Sequence, residues 1–371
     1  MIRVKIYLLE PYYSGSHKAW ADGYAAHSRH EVALLTMAGY FWKWRMHGGA
    51  LTMAEQLRAR MGDGESPALL LISDMLDSST LLALTRDLTA ALPVVSYFHE
   101  NQLTYPPVPG SKRDLHYGWI NYATMMVSDR VLFNSEHHRD EWFDELPRLL
   151  KHFPDYVPLD TVGQLRARSR VLSPGVGLVT ESLPPRRERR GAPPLILWNH
   201  RWEFDKAPQQ FFTLLDRMVA QGLPFRLALA GESFRNQPDE FLAARERFKA
   251  QLVHFGFARR DQYRALLAET DIVVSTAIHE FFGIAMIEAI HAGAMPLLPH
   301  RLAYPEIIPS EWHESVLYTD LDAASARLAH WLRHGIPPHA PLQQAMARFA
   351  WPRMAAQYDE CFDALCTAER P

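Results

Sequence analysis

Two glutamates separated by seven residues, Glu280 and Glu288, flank Gly283 in the stretch HEFFGIAMIEAIHAGAMPLLPHRLAYPEIIP. A carboxylate only accepts hydrogen bonds, which suits it to hydroxyl groups. The preceding DIVVSTA, Asp271 to Ala277, reads as a buried strand of β-branched and apolar residues. Ile284, Met286, Ile287, Ala289, Ile290 and Ala292 then fall at helical spacing and stop at Gly293. The free N–H groups where that helix starts, around Phe282, Gly283 and Ile284, can hold a diphosphate at the positive end of the helix dipole. Glycine at 283 lets an anion approach the backbone. Glu288, two turns on, is placed to accept from ribose hydroxyls, and Glu280 to reach the group being transferred. The chemistry this implies is the handling of a sugar nucleotide; the competing reading is a strand, turn and helix with two structural glutamates.

Other segments carry candidates of the same kind. NHRWEFDKAP, Asn199 to Pro208, supplies Arg201 and Lys206, a fork and a point charge for phosphate. AGESFRN offers Glu232 and Arg235, as border residues or as caps. In EPYYSGSHKAW, a loop after the opening strand presents Ser14, Gly15, Ser16 and His17, a set able to bind a phosphate or a sugar. YFHENQLTYP, Tyr97 to Pro106, is unusually polar for the exit of a buried strand. His99 is assigned there to catalysis on the sugar or acceptor, with Glu100, Asn101 and Gln102 on the acceptor side. In FNSEHH, Asn134 and Ser135 serve the site or cap a helix. FWKWRMHGG interleaves Trp42 and Trp44 with Lys43 and Arg45, a composition suited to stacking on bases and pairing with phosphates. Read as a strand, it sends aromatics and cations to opposite faces, and Lys43, Trp44 and Arg45 are taken as acceptor contacts.

The elements that must position these groups form two series. VKIYLLE, HEVALLTM, PALLLISDM, LPVVSYFHE and RVLFNSE alternate with helical stretches in the first half, and PLILWNH, FRLALAGE, LVHFGFA, DIVVSTA and AMPLLPH in the second. Each βαβα rhythm implies a doubly wound parallel sheet whose carboxyl-end loops carry chemistry. The expected organisation is a first Rossmann-like domain over 1–180, a second over 191–351, and a closing helix at 352–371 that returns to the first. The Pro-, Gly- and Arg-rich stretch from about Pro154 to Pro194 reads as the end of the first domain and a linker.

The chain has 371 residues, 48% hydrophobic and 22% charged, with formal net charge -3 and pI near 6.7. That balance excludes a broadly basic nucleic-acid coat and confines any RNA contact to one face, for which Lys43, Arg45, Arg186, Arg187, Arg189 and Arg190 are the candidates. With no apolar run of membrane-spanning length, no secretory leader, and two cysteines, Cys361 and Cys366, on one terminal helix, the expectation is a cytoplasmic protein without disulfides or membrane attachment. An acidic metal cluster such as Asp-x-Asp is not expected, so no metal ligands are named.

The Glu pair with its following Gly and Pro resembles the donor site of retaining GT-B glycosyltransferases of family four. With EPYYSGSHK, KWRMHGG, YFHENQLTYP, FNSEHHRDEWF, SPGV and NHRWEFDKAP in this order, residues 5 to about 308 resemble the tRNA-queuosine α-mannosyltransferase family. The resemblance implies two Rossmann-like domains facing a cleft and transfer of mannose from GDP-mannose, with retention, to queuosine in a tRNA anticodon. It also implies that Arg201 and Lys206 neutralise the leaving diphosphate without an obligatory metal, and that HFGFA touches the nucleotide base, with Phe257 its neighbour. Neither an obligatory cofactor nor an obligate protein partner is expected; the nucleotide sugar is a co-substrate. The alternatives are a GT-B enzyme for another donor with a small-molecule or protein acceptor, and a non-catalytic RNA- or nucleotide-binding protein.

Overall fold

In the computed structural model, which describes residues 3–62, 64–107, 110, 112–178, 191–231 and 238–367, the chain forms two compact units, Met1–Val176 with Phe349–Pro371 and Gly177–Arg348. The first contains β1 (Lys5–Tyr13), β2 (Glu31–Ala38), β3 (Leu69–Ser73), β4 (Val94–Phe98), β5 (Arg130–Phe133) and β6 (Ser169–Val171). All pair in parallel in the order β2-β1-β3-β4-β5-β6. Continuous burial of β3 and β4 follows from helices covering both faces of a parallel sheet. Ile6, Leu8, Leu71 and Tyr97 share one core with Trp20 and Tyr24 and with Trp351, Tyr358 and Phe362 of the last helix, Trp351–Thr367. Trp20 Nε1 donates to Tyr358 Oη (3.1 Å) and Tyr24 Oη to Asp359 Oδ1 (2.9 Å), so the polar tips of these buried rings are paired.

The second unit holds β7 (Leu195–Trp198), β8 (Arg226–Ala230), β9 (Leu252–Gly256), β10 (Ile272–Val274), β11 (Met295–Pro299) and β12 (Leu317–Tyr318), all parallel, in the order β12-β11-β10-β7-β8-β9. The order reverses between β7 and β10, and the loops leaving these two neighbours are where a doubly wound sheet binds ligands. In the first sheet the equivalent point lies between β1 and β3.

Two expectations are corrected and one is filled in. The stretch read as the end of the first domain and a linker is given its elements, the helix Asp160–Arg168 and the edge strand β6, whose three residues sit among arginines and carry no readable period. FWKWRMHGG opens a 21-residue helix, Trp42–Gly62, and is no strand. The loop read over Ser14–His17 is one turn residue: β1 reaches Tyr13 and the helix Gly15–His27 starts at left-handed Gly15. Arg186, Arg187, Arg189, Arg190, Glu232 and Arg235 lie outside the described residues. Cys361 and Cys366 are both free thiols, and among the described residues no helix is long and apolar enough to cross a membrane.

Candidate active site

In the first unit the sheet order sets the ends of β1, β3 and β4 side by side, and each brings an ionisable group. Glu10 is fully buried; its Oε1 accepts from Tyr12 N (2.8 Å) and its Oε2 lies 3.1 Å from His17 Nδ1. His99 Nε2 stands 4.0 Å from the same Oε2, and the His99 ring lies tilted against His17 with centroids 4.2 Å apart, 4.6 Å from Trp20 and 4.8 Å from Tyr97. The backbone of His99 is held from both sides. Its N–H donates to Asp74 Oδ1 (3.0 Å), and its carbonyl accepts from Asn134 Nδ2 (2.7 Å), whose Oδ1 meets His138 Nδ1 (2.8 Å). Ser135 caps the next helix, accepting from His138 N. Ser14 is half-buried, and Gly15 and Ser16 are exposed in the turn beside this cluster.

Burial would lower the pKa of His17, but the Glu10 carboxylate, helped by Asp74 and Glu100, raises it to about 9. Burial and the charges of His17 and His138 push His99 well below its usual value, so its imidazole is neutral at pH 7. Burial drives Asp74 well above the carboxylate range. His99 Nε2 and Asp74 Oδ2 are buried without a hydrogen-bond partner.

Asn101, expected to touch the acceptor, is fully buried and builds a turn instead: its Oδ1 accepts from Leu103 N (3.0 Å) and Thr104 N (2.7 Å). Glu100 and Gln102 are half-buried and bonded to each other at 2.8 Å. On the helix Trp42–Gly62, Trp42 packs on Tyr117 at 5.0 Å and Lys43 Nζ lies 5.6 Å from both of those ring centres. Trp44 is exposed, whereas Arg45 is committed: its Nε and Nη2 both donate to Ala38 O (3.1 and 3.0 Å).

The second unit gathers its candidates at the reversal between β7 and β10. Ile278 N donates to Asp205 O (2.9 Å) and Thr276 Oγ1 to Lys206 O (2.9 Å), which ties the loop after β10 to the loop after β7. Lys206 is buried, and its Nζ has three acceptors: His279 O at 2.8 Å, Asp205 Oδ2 at 3.1 Å and Glu280 Oε2 at 3.3 Å. Burial would lower its pKa, but Glu280 and Asp205 prevail and raise it. Burial would likewise raise Glu280, yet the Lys206 charge, which also donates to it, holds it below its usual value. His200, lowered to about 4 by burial and by the Lys206 charge, is neutral. Arg201 is nearly half exposed with Glu203 3.4 Å away.

Gly283, at φ 96, turns the chain into the helix Ile284–His291; the amides of Met286 and Ile287 are taken by Gly283 O (3.0 and 3.3 Å), which leaves those of Gly283, Ile284 and Ala285 as the candidates for an anion. Glu288 is reached by a chain of neutral groups: Asn199 Nδ2 donates to Tyr263 Oη (3.0 Å) and to Ala285 O (3.1 Å), and Tyr263 Oη donates to Glu288 Oε2 (2.9 Å). Burial raises the Glu288 pKa, with Tyr263 opposing. Phe282 is buried beside Gly283; Phe257, after β9, is 63% exposed and not a core residue.

Among the described residues, Glu10, His17 and His99 are the one group of three whose donor atoms could hold a metal ion, all lying within 4.8 Å of one another. The protonated His17 that Glu10 favours is a poor ligand. An Asp-x-Asp does occur, contrary to the expectation, as Asp320-Leu321-Asp322, and it is structural: Asp320 accepts from Ala323 N at a helix start and Asp322 pairs with Arg217 at 2.6 Å. What the second unit can do is bind an anion between fixed amides and cations while its two carboxylates engage hydroxyls. The first unit can offer a neutral imidazole beside a buried ion pair.

Residues 5–176 match the profile of the tRNA-queuosine alpha-mannosyltransferase N-terminal family, and residues 179–347 that of glycosyl transferases group 1. A tRNA-queuosine alpha-mannosyltransferase of Drosophila melanogaster is 34% identical over 338 residues, covering 88% of this chain and 87% of that protein. The chain belongs to the tRNA-queuosine α-mannosyltransferase family. The transferase is also 26% identical over 178 residues, 46% of its length, to GDP-mannose:cellobiosyl-diphosphopolyprenol alpha-mannosyltransferase of Xanthomonas oryzae pv. oryzae. Its two sheets have the GT-B fold. The catalytic domain of starch synthase IV from Arabidopsis thaliana, bound to ADP and acarbose, has a TM-score of 0.73 at 12% identity, covering 99% of this chain and 100% of that one. Anabaena HepE in complex with UDP has 0.67 at 14%, covering 97% and 100%. The transferase is therefore a glycosyltransferase using a nucleotide sugar. Sequence reasoning passed over Glu10, Asp74, Asp205, His200 and Tyr263; the available signal was a carboxylate at the exit of an otherwise apolar strand, as in LLLISDM and KIYLLEP.

Proposed function

We propose that the transferase moves mannose from GDP-mannose to queuosine in a tRNA anticodon, with retention of anomeric configuration. The observation that carries the donor half is the meeting, at one reversal point of the second sheet, of Arg201, Lys206, the amides at Gly283 and Ile284, and the pair Glu280 and Glu288. In this reading the diphosphate lies on the first-turn amides and Arg201, with Phe282 and Phe257 lining the nucleotide and the buried Lys206 acting as a fixed charge. Glu288 takes the ribose hydroxyls through the oxygen that Tyr263 leaves open, and Glu280 faces the sugar. The departing phosphate accepts the acceptor proton on the same face, so catalysis is positioning and charge stabilisation. On the first unit, His17 with Ser14, Gly15 and Ser16 serves the sugar phosphate, His99 the reacting sugar, and Glu100, Gln102, Lys43 and Trp44 the acceptor side. The match of residues 5–176 to the family's own N-terminal profile supports the queuosine acceptor. No obligatory metal or protein partner enters.

Thermal-shift titration with GDP-mannose, UDP-glucose and related donors tests the donor assignment, because a ligand of the native state raises stability with the logarithm of its concentration. GDP-mannose is expected to give the largest shift, and a larger shift with a uridine donor would refute the guanosine assignment. Glu288→Ala should weaken GDP binding by roughly 10- to 150-fold, the equivalent of losing hydrogen bonds to a charged group. Tyr263→Phe should act in the same direction but only about fivefold, since it loosens the carboxylate without removing it. Both effects should vanish with 2′,3′-dideoxy-GDP, which has no hydroxyl to offer; equal losses with GDP and its dideoxy form would make both residues merely structural.

Turnover is expected to survive EDTA, because Lys206, Arg201 and the helix amides occupy the role a divalent ion would play. Loss of activity in EDTA, restored by manganese or zinc, would reject that mechanism and direct attention to Glu10, His17 and His99.

A further inference from the structure

Between the end of β2 and the helix Trp42–Gly62 the chain makes a sharp corner that shows three aromatic rings to solvent. Tyr40 is 67% exposed, Phe41 81% and Trp44 59%. Phe41 adopts φ 53, a left-handed conformation that strains a bulky residue. The corner is nevertheless tightly fixed. Ala38 O accepts from Tyr40 N (2.8 Å) and from both Arg45 guanidinium nitrogens, and Phe41 O accepts from Trp44 N (2.8 Å) and Arg45 N (3.1 Å). Trp44 lies on its own helix: a Cβ placed on Gly48 would fall 2.4 Å from its Cζ2, so only glycine lets one indole face rest there while the other stays open.

On either side of the corner the charge along the chain has one sign. From Val32 to Ala54 the sequence holds no carboxylate, whereas Lys43, Arg45 and His47 fall inside it. From the facing helix, Leu115–Met126, His116 stacks on His47 at 4.7 Å, and Lys112 and Arg113 precede it. Asp114 is the carboxylate on that side, and it is engaged in capping the same helix by accepting from His116 N. Gly39 sets the corner against the turn that follows β1, since a Cβ there would lie 2.3 Å from Ser14 Cβ. The other side of the corner meets the His17 cluster through Trp42, Met46, Met75, Tyr117 and Tyr12.

We propose that Tyr40, Phe41 and Trp44 are a stacking platform for unpaired nucleobases of the RNA acceptor, with Lys43, His47 and His116 along its phosphates. The inference rests on the tRNA reading above and extends it: Arg45 becomes the brace that holds the platform, not an RNA contact. Open aromatic faces interleaved with cations, and free of carboxylates, fit single-stranded RNA, whose bases stack without regard to sequence. Leu51, 55% exposed two turns along the same helix, is the aliphatic group this helix adds beside the rings, a small apolar surface for a protein partner.

The test measures affinity of the full chain for the queuosine-containing anticodon stem-loop by fluorescence anisotropy, with variants compared at one salt concentration and the salt slope taken from a separate series. Phe41→Gly and Trp44→Ala should each weaken binding about tenfold, the loss of one stacked base. Phe41→Gly should keep or raise the thermal midpoint, because glycine accepts a left-handed corner without strain, which separates lost stacking from lost folding. Trp44→Phe should retain most of the affinity, and Lys43→Ala should flatten the salt dependence. Unchanged RNA affinity in both Phe41→Gly and Trp44→Ala overturns the platform alone. A parent chain with no affinity for the stem-loop overturns the tRNA reading and the platform with it.

Discussion

Lys206→Ala is expected to slow sugar transfer by roughly 10²–10³, the usual cost of deleting a preorganised charge at a departing oxyanion. The same change should lower the thermal midpoint. The Lys206 ammonium is buried between Asp205 and Glu280, and removing it leaves two carboxylates uncompensated, at about 3–5 kcal/mol by comparison with other broken buried pairs. Lys206→Met separates packing from charge, and single-turnover rates corrected for the folded fraction separate catalysis from stability. Arg201→Ala provides the contrast: its exposed guanidinium should matter to turnover and hardly at all to the midpoint. If Lys206→Met is unstable but transfers sugar at the parent rate per folded molecule, the lysine is a structural pair and the diphosphate assignment fails.

Glu10→Gln should produce a loss of stability that depends on pH in a definite direction. With Glu10 present, the folded-state pKa of His17 is about 9. A raised folded pKa means the pair's contribution is complete below the unfolded value of about 6.5 and disappears as pH rises through about 9. In the variant that contribution is absent, so the midpoints of parent and variant should differ most near pH 6 and converge above pH 9. Asp74, Glu100 and His99 also face this pair and stay in place in the variant. Melting curves displaced by the same amount at every pH would show that the Glu10–His17 pair is not ionised as described. Because the ring of His99 lies 4.2 Å from that of His17, the pH profile of turnover should move together with that of stability.

The parts of the fold that were legible in the sequence share one property: their signal is local. Ten of the strands are short, mostly apolar runs, legible from their own residues. The two that were not, β6 and β12, have three and two residues and exist only because a neighbouring edge accepts them. The helix at Trp42 was read as a strand because Trp-Lys-Trp-Arg alternates, and its start bears no Ser, Thr or Asp cap: a left-handed Phe41 and the Arg45 clamp stand in for one. Polar runs such as HENQ pointed to the right strand end but not to the right division of labour, since Asn101 proves to be the turn's own scaffold. Lys206 and Glu280, 74 positions apart, meet only through strand order, as Glu10 and Asp74 come to feel each other's charge, and no local pattern encodes either.

The most direct test of the account is transfer of radiolabelled mannose from GDP-mannose to two preparations of one tRNA, with and without queuosine at the anticodon. The account predicts incorporation into the queuosine-containing tRNA alone, with the label released on digestion as mannosyl-queuosine of the same anomeric configuration as the donor. Equal labelling of both tRNAs, labelling of neither alongside transfer to a small molecule, or an inverted linkage would contradict it.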